Sequence, residues 1–114
     1  MVPIFTKFFY PVLKFLENGT VQNLKSTVQY VSDYFHLSDE DRQEKIKSGR
    51  ATKVYDRTQW SMTYLRAAGL ILSPKRGRYL ITSKGKQILD FGITELSQKD
   101  LCNISPEFEA FLHG

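Results

Sequence analysis

Two groups of side chains in this sequence have the types and spacing for molecular recognition. Gln59, Thr63 and Arg66 in "DRTQWSMTYLRAAG" recur at i, i+4 and i+7, one stripe of a helix. Gln and Arg suit bidentate contacts with adenine and guanine edges. Lys75, Arg76 and Arg78 surround Gly77 in "LSPKRGRYLIT", three cations at the tip of an apparent hairpin, where phosphate oxygens are the natural partner. Arg50 and Lys53, in the loop before the first group, are further phosphate candidates. Thr58 falls near the expected start of the helix, where free N–H groups favour phosphate. Arg57 turns towards the packed side, and phosphate contact and bracing of the loop are equally consistent with it. Tyr55 precedes the expected helix in a basic loop, placed to stack on a sugar or base or to pack as a hydrophobic staple. Trp60 lies on a flank and is expected in the core rather than against a base.

Bond-breaking chemistry finds little to work with. The histidines are His36 and His113 and the lone cysteine is Cys102, so no Ser-His-Asp or Cys-His arrangement is credible. The same scarcity of soft ligands, far apart in sequence, argues against a metal site. One cysteine cannot form an internal disulfide, which fits a reducing, cytoplasmic setting. The apolar start carries Lys7 and Lys14 and no small-residue cleavage site, so it is expected as a mature helix and not as a signal peptide. No apolar run approaches the length of about 18–20 residues that spans a bilayer.

The charge is more telling than its net value of +4. Residues 45–86 hold eleven Lys and Arg against Asp56 alone, a net of +10, whereas residues 90–114 hold five carboxylates against Lys99, a net of −4. A solvated surface normally mixes signs, and a block this one-sided is the footprint of a polyanion partner.

These side chains need a scaffold, and 114 residues with 41% apolar content suffice for one small core. A helix over about 4–17 is expected from Phe5, Phe8, Phe9, Val12, Leu13 and Leu16, kinked or divided at Pro11 and ended by Asn18-Gly19. Thr20-Val21 could form a small edge strand. A second helix starts near Asn23, with Leu24, Val28, Val31 and Phe35 as its buried stripe. A third opens on a Ser38/Asp41 capping box and runs to about Lys47. The fourth, 56–68, is capped by Asp56 and ended by Gly69; Ser61, Tyr64, Leu65 and Ala68 face inward, and Asp56, Gln59, Met62, Thr63 and Arg66 outward. "LILS" and "RYLIT" then form strands about a "PKRG" turn. Thr82 caps a last helix to Leu89, in which Gly85 implies close backbone packing, and "SPEFEAFL" starts a short helix capped by Ser105.

The fold class expected is therefore mainly α with a small β-hairpin (α+β), in the order of a winged helix-turn-helix: a helix at 56–68 to enter the major groove and a wing at 74–78 on the backbone. The residues resemble the N-terminal domain of Mrr-type restriction endonucleases. The resemblance rests on Ser48-Gly49-Arg50, Arg57, Trp60, Leu65, Ala68-Gly69-Leu70, Arg76-Gly77, Thr82 and Gly85, with "PVLKFL" before and "ISPEFEAFLHG" after. It implies a double-stranded DNA-binding, target-recognition domain over 1–90, with 91–114 an acidic extension or linker helix towards an absent nuclease domain. It also implies a modification-dependent enzyme as the parent protein, so the DNA partner could be methylated. No cofactor is expected for this domain, and Mg²⁺ belongs to the absent nuclease, whose Glu/Gln-x-Lys pair Gln43-Glu44-Lys45 matches only formally, in a charge-rich helix rather than a strand. This chain is thus expected not to be an enzyme itself. The alternatives are a protein–protein or dimerisation module, built on the apolar first helix and the acidic tail, with a homodimer left open, and a stand-alone transcription regulator.

Overall fold

In a computed structural model describing residues 1–114, the first apolar segment is a 3₁₀ turn, Phe5–Phe8, running into helix α1, Phe9–Phe15. Pro11 stands in the first turn of α1, where its missing N–H has no intrahelical bond to lose, so the division falls upstream of it. Phe8, Phe9, Val12, Leu13 and Leu16 are fully buried and form the centre of the core.

A two-residue strand, β1, Gln22–Asn23, lies one step beyond the expected Thr20-Val21. Asn23 then caps α2, Leu24–Tyr34, its Oδ1 accepting from the Ser26 N–H at 2.7 Å. Buried Thr27 and Ser32 donate their hydroxyls four residues back, to Asn23 and Val28 carbonyls at 2.9 and 2.8 Å, which satisfies them inside the packing. Helix α3, Asp39–Gln43, carries the Ser38/Asp41 capping box, and it ends four residues short of Lys47 because Glu44 is extended.

Helix α4, Lys53–Ala67, begins upstream of expectation. Thr52, not Asp56, is its cap, the Thr52 hydroxyl accepting from the Tyr55 N–H at 3.2 Å. Val54, Thr58, Ser61, Leu65 and Ala68 form its buried stripe, and Met62, expected outward, is buried beside them. Two bonds close its far end, Leu70 N–H to Leu65 O at 3.0 Å and Gly69 N–H to Arg66 O at 2.9 Å. Gly69 sits at φ +78°, the left-handed conformation that this Schellman ending demands.

Strands β2, Ile71–Lys75, and β3, Arg78–Ile81, follow at once. With β1 they form an antiparallel sheet in the order β1-β3-β2. Ile71 opposes Ile81 and both are buried, which fixes the register. The register shifts between Leu72 and Lys75, and Pro74, lacking an N–H, is accommodated there on an edge strand. The turn is therefore only Arg76-Gly77, with Lys75 directly opposite Arg78, rather than the four residues "PKRG".

Thr82 ties the hairpin to what surrounds it. Its hydroxyl donates to the Gly69 carbonyl at 2.7 Å and accepts from the Gly85 N–H at 3.1 Å, capping α5, Ser83–Asp90. A Cβ on Gly85 would collide with the Leu70 carbonyl oxygen and come within 2.7 Å of Ile81 Cγ1, so the close packing expected there is present. Helices α6, Gln98–Ile104, and α7, Pro106–His113, complete a mainly helical α+β fold. Residues 91–114 do not trail away from the rest. Leu96, Leu101 and Phe108 belong to the same core as α1 and α4, and the Phe108 and Phe111 rings lie edge-on to Tyr64 at 5.5 and 5.6 Å.

Candidate nucleic-acid interface

The buried stripe of α4 leaves Gln59, Thr63 and Arg66 exposed on the opposite side, as their spacing predicts. Thr63 is not a free donor, however, because its hydroxyl already bonds the Gln59 carbonyl at 3.1 Å. Thr58 departs from expectation entirely. It lies in the second turn of a helix that starts at Lys53, is fully buried, and donates to Val54 O at 2.7 Å, so it faces the core and no phosphate.

Arg57 resolves in favour of bracing. Its Nη1 donates to the Val2 and Pro3 carbonyls at 2.6 and 2.9 Å, and fastens the N-terminal arm to α4. Phe5 meets Tyr64 edge-on at 4.9 Å in the same contact region. Tyr55 is within the first turn of α4, not in a preceding loop, and 40% exposed, so it is neither a staple residue nor a loop residue. Lys53 is likewise the first residue of α4 rather than a loop residue, and its ammonium pairs with Glu44 Oε2 at 3.1 Å. Trp60 reverses expectation: 52% of it is exposed on the free side of the helix. A helical wheel drawn from Thr52 places it there; the general tendency of Trp to be buried pointed the other way.

The segment between α3 and α4 is ordered as a small hairpin. Lys45 and Thr52 pair antiparallel, Ile46 N–H donates to Ala51 O at 3.0 Å, and Lys53 N–H donates to Glu44 O at 2.7 Å. Gly49 closes the tip at φ +75°, and Lys45, Lys47 and Arg50 stand exposed on it. Lys45 and Lys47 join Arg50 as candidates that spacing alone did not single out, although the charge run contained them. After α4 in the chain, the Arg76-Gly77 turn, with Gly77 also at φ +75°, exposes Lys75, Arg76 and Arg78.

Electrostatically these groups are unspent. Four ion pairs are present: the Met1 amino group with Asp41, Lys14 with Glu17, Arg42 with Asp33, and Lys53 with Glu44. Lys45, Lys47, Arg50, Arg66, Lys75, Arg76, Arg78 and Lys86 take part in none of them, whereas Lys84 lies within electrostatic reach of Glu107. Helix α4 is about 22 Å long at 1.5 Å per residue, and the two basic hairpins immediately precede and follow it in the chain.

Other candidates are absorbed by the fold. The apolar face of α1 and the apolar residues Leu96, Leu101 and Phe108 of the tail are spent on the core and on α4, while the carboxylates Asp100, Glu107 and Glu109 stay exposed. Gln43 ends α3, Glu44 holds Lys53, and Lys45 belongs to the small hairpin, so Gln43-Glu44-Lys45 lacks the strand that a nuclease metal site needs. No helix is long and apolar enough to cross a membrane.

Comparison with known proteins gives one match: the family model described as the Mrr N-terminal domain aligns with residues 5–90. No curated protein and no solved structure matches the chain.

Proposed function

The chain belongs to the Mrr N-terminal domain family, found in restriction systems, and from that premise we propose that it is a winged helix-turn-helix that binds double-stranded DNA. In this reading α4 enters the major groove with Gln59 and Arg66 towards base edges, and the β2–β3 hairpin is the wing. Lys75, Arg76 and Arg78 hold one stretch of phosphates, and Lys45, Lys47 and Arg50 hold another beyond the opposite end of α4. The domain acts as the target-recognition part of a modification-dependent restriction enzyme, in the cytoplasm, and the nuclease chemistry resides elsewhere.

The observation that carries this reading is the set of eight cations without carboxylate partners, drawn from the segments on either side of α4, from α4 and from the start of α5. Self-repulsion among like charges costs stability, and a polyanion offsets it. Gel shifts and anisotropy titrations with labelled duplexes test it. Micromolar protein in low salt should bind duplex DNA; Arg76→Ala should weaken every sequence alike, and Gln59→Ala or Arg66→Ala should alter sequence preference. No duplex binding under those conditions refutes the proposal. Duplex pairs with and without methylated bases test the modification dependence separately.

A further inference from the structure

Trp60, Thr63 and Ala67 lie at i, i+3 and i+7 on α4, a second stripe beside Gln59 and Arg66 that shares Thr63 with it. Trp60 is half exposed, Thr63 is exposed and Ala67 is partly so. The single hydroxyl proton of Thr63 is committed to the Gln59 carbonyl at 3.1 Å. What Thr63 offers a partner is therefore chiefly its methyl group. The free side of α4 thus divides into a polar strip, Gln59 and Arg66, and an apolar strip made of an indole, a methyl and an alanine.

In the major groove the apolar feature of a base pair is the 5-methyl group of a pyrimidine, and small apolar side chains are its usual contacts. Resting on the DNA-binding reading above, we propose that Trp60, Thr63 and Ala67 read pyrimidine 5-methyl groups, so that the helix discriminates by apolar contact as well as by hydrogen bonding. Thymine and 5-methylcytosine carry the same group in the same place, and either supplies it. The half-exposed indole gains apolar cover in the complex.

The test uses the whole chain and a duplex site obtained by binding selection. Each thymine in the bases under α4 is replaced by deoxyuridine, which removes only the methyl, and each cytosine by 5-methylcytosine, which adds it. Removing a contacted methyl should weaken binding about fourfold, the worth of one buried methyl group. Adding one at a contacted cytosine should strengthen binding by a similar factor, which distinguishes the two sources. Trp60→Ala should abolish these differences and leave the salt dependence unchanged. Because Trp60 is the only tryptophan, its fluorescence in the unmutated chain gives an independent readout, changing more with the thymine duplex than with the deoxyuridine duplex. Equal affinity with and without the methyl at every position, or a selected site with no 5-methyl pyrimidine under α4, overturns this inference alone. Absence of any duplex binding overturns the DNA-binding reading with it.

Discussion

Replacing Lys75, Arg76 and Arg78 together by alanine isolates what the hairpin tip does. None of the three makes an ion pair, and no side-chain hydrogen bond of theirs is present to be lost. All three are exposed, so the triple variant should fold with a melting temperature within a few degrees of the original, and relief of repulsion could raise it. The effect on DNA should be large. Each phosphate contact contributes about 0.9 to the slope of log K against log salt, so three contacts account for a fall of about 2.7 in that slope. Over one decade of salt, from 1 M to 0.1 M, each contact gains about eightfold by counterion release, and three gain about 500-fold, or about 3.7 kcal/mol. Anisotropy titrations of a labelled duplex between 50 and 300 mM NaCl give both slopes directly. A slope that does not change, with an intact fold, refutes the assignment of the tip to phosphate. A large loss of melting temperature shows instead that these residues serve the hairpin itself.

Other consequences concern the scaffold. Thr52→Ala should cost about 1 kcal/mol in urea denaturation by removing the cap of α4, while Asp56→Ala should change stability by no more than about 0.5 kcal/mol. Phe108→Ala should cost about 3–5 kcal/mol and lower the stability of the whole chain in one transition, since Phe108 is fully buried in the shared core. The Asp41 carboxyl is held below its ordinary range by hydrogen bonds from the Met1 amino group and the Ser38 N–H, and Glu107 by its own backbone N–H and the Ser105 hydroxyl. Depressed carboxyl values contribute stability that is complete at neutral pH and is lost as pH falls through them, so each should titrate below the ordinary value for its residue type by NMR, with weakening on that acid side only.

The features legible in advance were those with a local cause. Asn23, Ser38, Thr82 and Ser105 cap helices where their side chains and the following periodicity say they should, and Gly69 and Gly85 meet backbone demands that other residues cannot. The misplacements of Thr58, Lys53 and Tyr55 share one origin at Thr52. Thr, Asp and Ser are all acceptable caps, so Asp56 was as plausible as Thr52, although the stripe Val54, Thr58, Ser61, Leu65 was visible and extends upstream. That shift took Thr58 from a free first turn to the core, and moved Lys53 and Tyr55 from loop to helix. The roles of Arg57 and of residues 91–114 depended on contacts about 50 residues away in sequence, between Arg57 and Val2 and between Tyr64 and Phe108, which no local pattern encodes.

The pairing of Lys75 with Arg78 across the tip has a thermodynamic meaning of its own. Two like charges held directly opposite in a strand pair oppose the pairing they sit in, so this end of the hairpin is locally frustrated although the Ile71–Ile81 end is well satisfied. The hairpin should therefore fray from the tip inward, with amide hydrogens near Arg76 exchanging well before those near Ile81. An anion seated between the two side chains removes the conflict, and ordering of the tip then becomes part of the free energy of binding rather than of folding.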